Sequence, residues 1–182
     1  PDVQGAHLRA LDDAGNVVWE NTDLEGAVFE IDTDTDPVEH FWIKIDKVIP
    51  QSMELWVDPT DELYDQYELS WYTENRDHVI ERGQLCGTPP DEKTPGLEGE
   101  IYPNPTMSIL YSGDRYSAID KTVTSIDEIR NADWFNIACA RSAPYKLFAT
   151  RHTSKTANAS HQSSQAERQA LLKAYEIGRA SC

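Results

Sequence analysis

The chain is short of cysteine, of basic residues and of long apolar runs, and each shortage narrows what it can be. Three cysteines, Cys86, Cys139 and Cys182, lie far apart with no CxxC pair. That spacing speaks against a zinc ribbon or a thioredoxin-like centre. No apolar run approaches the roughly 20 residues that span a bilayer as a helix, so no transmembrane segment is expected. Lys and Arg number 16 against 32 Asp and Glu, a net charge of −16. Residues 141–182 hold seven Lys and Arg against two acids, a balance of +5, so residues 1–140 carry nine against thirty, −21. A surface so acidic repels phosphate backbones and anionic lipid, which makes nucleic acid and membrane surface poor partners. The basic tail is expected to pack on the acidic part of its own chain.

Enzyme signatures are missing too. There is no HExxH, GxSxG, P-loop or GxGxxG, and the five histidines (His7, His40, His78, His152, His161) are scattered. With this many acids, no carboxylate pair stands out for glycoside hydrolysis. Pro1 follows neither Met nor a signal-like stretch, so the expectation is a processed or trimmed start.

What is present reads as an α+β chain, an antiparallel β-rich N-terminal part followed by a C-terminal helical hairpin. At 182 residues, 39% apolar and 26% charged, it is globular and large enough for one domain over 1–182. The β-rich lobe runs to about residue 85. "AHLRALD", the turn "DDAGN" and "VVWEN" form a hairpin-like arrangement. "GAVFEID" places Ala27, Phe29 and Ile31 on one face at period two. "HFWIKIDKVI" sets Phe41, Ile43 and Ile45 against Trp42, Lys44 and Asp46, and "YELSW" sets Tyr67, Leu69 and Trp71 against Glu68 and Ser70. "MELWV" reads as a short strand. An antiparallel sheet with one buried face gives this alternation. Residues 86–105 hold five of the ten prolines and read as a loop.

Residues 106–182 form an α+β part. "SILYSGDRYSAID" resumes strand character with a turn at "SGD", "SIDE" has capping-box spacing, and "WFNIACA" alternates Phe135, Ile137 and Cys139 on one face. "SAPYKLFATRH" opens a helix with Ser142 as cap and Pro144 in the first turn. "SQAERQALLKAYEIG" has the box Ser164 to Glu167, a stripe of Ala170, Leu171, Ala174 and Tyr175, and Gly178 as a left-handed stop.

Three groups of residues carry candidate chemistry. Asp32, Asp34 and Asp36 alternate like the first half of a calcium loop, but Pro37 and Ile43 stand where an EF-hand needs Gly and Glu. A looser calcium loop and an acidic exposed turn are the remaining readings. Trp42 and Tyr72 fall at strand spacing, and a surface row including them would be a binding face; aromatic sheet core is the plainer reading. Cys139 precedes a helix start, which suits a nucleophile with His152 or His161 downstream, yet it lies on an apolar face, which suits a buried or disulfide-bonded cysteine.

An ordered set of segments resembles the ADYC domain, a cysteine-containing domain of secreted proteins and lipoproteins, mainly myxobacterial. "FWIKIDKVIP" resembles its early strand ending in Pro, and "YDQYELSWYTENRDHVIERGQLCG" its strand followed by Leu-Cys-Gly. "WFNIACARSAPYKL" resembles its Phe-x-x-Ala-Cys strand and the helix after it. Where the family carries Ala-Asp-Tyr-Cys, this chain reads Arg179-Ala180-Ser181-Cys182, keeping only the Cys. The likeness covers about residues 39–182. Many members have a further cysteine pair in the helical hairpin, where this chain has Leu147 and the Ala and Leu of its last helix. Members continue past the hallmark Cys, so the resemblance implies a chain that stops in mid-domain.

The resemblance implies an extracellular or cell-envelope location, with a lipoprotein included, where a disulfide makes sense. If the first helix starts beside the end of the second, Cys139 and Cys182 meet and close a loop of about 40 residues, worth roughly 3–4 kcal/mol. Cys86 is then free, and Cys86–Cys139 is the rival pairing. The family carries no established activity. The leading expectation is a non-catalytic structural or interaction module for a protein or glycan ligand, without a cofactor. The alternatives are an uncharacterised hydrolase or thiol enzyme, and a calcium-stabilised extracellular binding domain.

Overall fold

The computed structural model describes residues 2–4, 6–32, 40–52, 64–74, 79–87, 106–117, 120–128, 134–154 and 163–177. The expected strand "MELWV" lies outside them. The α+β class holds: antiparallel strands come first, and two packed helices end the described chain.

The chain opens with β1 (Asp2–Gln4), β2 (His7–Leu11) and β3 (Val17–Glu20), a three-stranded antiparallel sheet. Asp12 shapes the β2–β3 turn. Its carboxylate accepts the Ala14 and Asn16 backbone N–H groups at 2.9 and 2.8 Å, and Gly15 takes the left-handed φ of 83°. A 3-10 turn over Asn21–Leu24 then drops Leu24 into the core.

The main sheet has six strands: β4 (Val28–Asp32), β5 (His40–Ser52), β6 (Tyr64–Glu74), β7 (Ile80–Gln84), β8 (Met107–Tyr111) and β11 (Asn136–Cys139). The order is β11-β8-β6-β5-β4, and β7 also pairs with β6. β7 and β8 therefore share one edge of β6. Ser70 to Glu74 pair with β7, and Tyr67 and Glu68 pair with β8. Strands from both sides of the proline-rich segment thus lie in one sheet.

The alternation read from the sequence sets which face is buried. Phe29, Ile31, Ile43, Ile45, Tyr67 and Leu69 point to the small sheet, where they meet Leu8, Leu24 and Leu110. Ile43, Ile45, Tyr67 and Leu69 have no exposed area. Each such aliphatic side chain contributes roughly 1.5–3 kcal/mol by burial. Trp71 lies over Gly83, where a Cβ would stand 3.0 Å from its indole nitrogen, closer than ordinary van der Waals contact.

A single buried face does not describe the whole sheet. β8 is buried along its full length because it is covered on both sides. Leu110 faces the small sheet, while Ile109 and Tyr111 face α1 (Ala143–Ala149), with Tyr145 and Phe148 packed over them. β9 (Arg115–Ser117) and β10 (Thr122–Thr124) form a separate ribbon under α2 (Gln165–Ile177). "SIDE" forms a 3-10 turn, Ile126–Glu128, after Ser125.

Both helix caps form as the sequence predicts. Ser142 accepts the Tyr145 N–H, and Ser164 and Glu167 cap each other's N–H groups. The buried stripe of α2 is a correction. Ala170 and Ala174 are exposed, and Arg168, Leu171, Leu172 and Tyr175 face inward. Arg168 turns the helix that way because it bonds Asp114 Oδ2 at 2.5 Å, and both side chains are buried. The expected stop at Gly178 lies outside the described residues.

Candidate functional site

The α1 layer covers the main sheet only over its β8 and β11 side. On the same face, β4, β5, the end of β6 and β7 have no described element packed over them. Register fixes what this open face displays, because directly opposed residues point the same way. One row crosses four strands as Glu30, Trp42, Tyr72 and Arg82. The next row is Val28, Lys44, Ser70 and Gln84. Beyond the first row stand Asp32 opposite His40, and Glu74 opposite Ile80.

Trp42 and Tyr72 form the centre. Their rings stack with centroids 5.4 Å apart and planes 12° off parallel, and both are half-buried. The structure brings this predicted pair together on the open face rather than in the core. Val28 and Ile80 add exposed apolar corners. Around them the polar groups are held in place. Lys44 Nζ donates to Asp46 at 2.6 Å, and Gln84 donates to Glu68 at 3.0 Å. Burial pushes the Asp46 carboxyl up, but hydrogen bonds from Lys44 and Ser70 outweigh it and hold the group below the ordinary carboxylate range.

Of the three aspartates weighed for calcium, Asp34 and Asp36 lie outside the described residues. Asp32 has other company. His40 Nδ1 is 2.7 Å from Asp32 Oδ1 and 3.4 Å from Glu30 Oε1. Sequence reasoning missed Glu30 and His40. Their signal is the period-two position they share with Asp32 and Trp42, but only the β4–β5 register joins them. Arg82 and Gln84 were missed for the same reason.

The cysteine expectation is corrected. Cys139 is bonded to Cys86, with Cα atoms 5.3 Å apart, and not to Cys182, which lies outside the described residues. Topology explains it. Leu85 N–H bonds to Leu69 O, so β7 delivers Cys86 to the point on the β6 edge where β8 begins. Cys139 pairs with Ser108 of β8 and reaches the same point from the other side. In a disulfide Cys139 has no free thiol to serve as a nucleophile. His152 is half-buried after α1, and His161 lies outside the described residues.

A buried polar seam ties the small sheet to the main one. The Tyr67 hydroxyl accepts the Leu8 N–H at 2.9 Å and donates to Asp65 at 3.2 Å, and Asp65 Oδ2 lies 3.0 Å from His7 Nδ1. Burial, with the Asp65 charge beside it, raises the Tyr67 phenol far above its ordinary value. Tyr67 is thus a fixed neutral strut.

No described helix is long and apolar enough to cross a membrane. In comparison with known proteins, the chain matches no family model, no curated protein and no solved structure.

Proposed function

We propose that the chain is a non-catalytic binding module of an exported, ADYC-like protein, and that it takes a short neutral or amino-sugar glycan on its open sheet face. The observation that carries this reading is the Trp42–Tyr72 stack, set between Glu30 and Arg82 on a face over which no described element packs. Paired aromatic rings offer apolar surface to the C–H faces of sugars, and flanking carboxylate, guanidinium, amide and hydroxyl groups offer hydrogen bonds to their hydroxyls.

Size favours a glycan over a globular partner. Four strands and three rows span roughly 400 Å² at ordinary sheet spacings. A stable protein interface needs about 800 Å² from each side. Charge narrows the ligand further, because a net −16 repels sulfated or uronate-rich chains. The Cys86–Cys139 bond supports an oxidising location, extracellular or in the cell envelope.

Titration with soluble cello-, chito- and manno-oligosaccharides, followed by calorimetry, tests the reading. Binding of at least one series is expected, weakened tenfold or more in Trp42→Ala and in Tyr72→Ala, with both variants still folded by circular dichroism. Absence of binding across the panel refutes it, and so does binding that both variants retain.

A further inference from the structure

The open face ends in a second constellation. Glu30 and Asp32 stand two residues apart on β4, and the register sets His40 of β5 directly across from Asp32. One ligand atom from each of the three lies within 4.8 Å of the others. All three side chains are exposed, and all sit on strands rather than in a turn. The start of β5 is held to β6 as well, since Thr73 Oγ1 donates to the His40 carbonyl at 2.9 Å.

We infer that Glu30, Asp32 and His40 form a binding site for a divalent transition-metal ion of the Zn²⁺ type. A simple ion pair accounts for only part of the geometry. One Nδ1–H donates well to one oxygen, and Asp32 takes it at 2.7 Å, yet Glu30 Oε1 is also drawn to 3.4 Å from the same nitrogen. Two carboxylates against one imidazole leave the cluster negative in either protonation state of His40. The nearby Lys44 does not correct this, because its ammonium is bonded to Asp46. A dication does.

The distances suit a small ion. Zinc bonds nitrogen and oxygen at about 2.0–2.2 Å, so tetrahedral donors stand about 3.3–3.6 Å apart. The Nδ1 to Oε1 distance already lies there. The Nδ1 to Oδ1 distance must open by under about 1 Å, within reach of a side-chain rotation at exposed residues once the proton leaves Nδ1. The donor set chooses the metal. Calcium takes oxygen ligands, whereas an imidazole with two carboxylates suits zinc and its first-row neighbours. Three protein ligands would leave one tetrahedral position for water. The site stands independently of the glycan reading.

Calorimetric titration of the metal-free, untagged chain with ZnCl₂ alone at pH 7 tests the inference. One saturable site is expected, weakened at least tenfold in His40→Ala and in Asp32→Asn, unchanged in His7→Ala, and not competed by millimolar Ca²⁺. Lack of saturable uptake overturns the inference. Uptake that His40→Ala leaves unchanged overturns it equally, since another part of the chain would then hold the ion.

Discussion

Breaking the Cys86–Cys139 bond frees a loop with a sequence separation of 53 residues. In the chain-entropy account, a loop of that length is worth about 4 kcal/mol, because the cross-link restricts the unfolded chain. For a chain of this size each kcal/mol moves the melting temperature by about 2–4 °C. The Cys86→Ala/Cys139→Ala double variant is therefore expected to melt about 8–16 °C below the oxidised protein. Fully reduced, alkylation-free wild type is the companion arm, since it keeps both sulfur atoms in place and isolates the cross-link. Cys86 is only 1% exposed, so reduction of the native protein is expected to be slow and to need denaturant. Calorimetric melting reads the loss, and a non-reduced peptide digest reads the connectivity. A drop below about 2 °C in both arms refutes the entropic reasoning. A peptide joining Cys139 to Cys182 refutes the topological reasoning that brings β7 and β11 to one point.

The other perturbations address the helical end. Arg168→Met strands the buried Asp114 carboxylate and is expected to cost about 3–5 kcal/mol in urea unfolding, while Arg168→Met/Asp114→Ala recovers part of that loss. The Ser164 N–H and hydroxyl hold the Glu167 carboxyl below its ordinary value. A lowered native pKa means the cap's contribution is present above the unfolded value and lost as pH falls through the native one. The urea midpoint is accordingly expected to fall below about pH 4.5, with a shallower fall in Glu167→Gln.

The strand faces were legible because period two is a local property. Ile43, Ile45, Tyr67 and Leu69 are buried as their alternation says, and Phe29 and Ile31 pack half-buried against them. Caps at Ser142 and Ser164 were legible for the same reason, since each is settled within four residues. What the sequence hides is non-local. Trp42 and Tyr72 alternate correctly, but only the β5–β6 register makes them a stack. Glu30 and His40 meet across a connection whose length says nothing about pairing. The Cys86–Cys139 bond needs two strands to share one edge of β6, which no stretch of sequence announces. α2 misleads in another way. A buried arginine looks like surface in a hydropathy pattern, so the pattern points to Ala170 and Ala174 instead of Arg168 and Leu172.

The shared edge of β6 has a covalent corollary. β7 ends and β8 begins at neighbouring places along β6, with residues 88–105 between them in the chain. Cys86 lies before those residues and Cys139 after them. A protease that cuts anywhere within 88–105 therefore yields two polypeptides that remain one molecule. They migrate together without reductant and part only when the sulfurs are reduced. The joint in the sheet is thus also a rivet, and a cut between its two cysteines does not divide the protein.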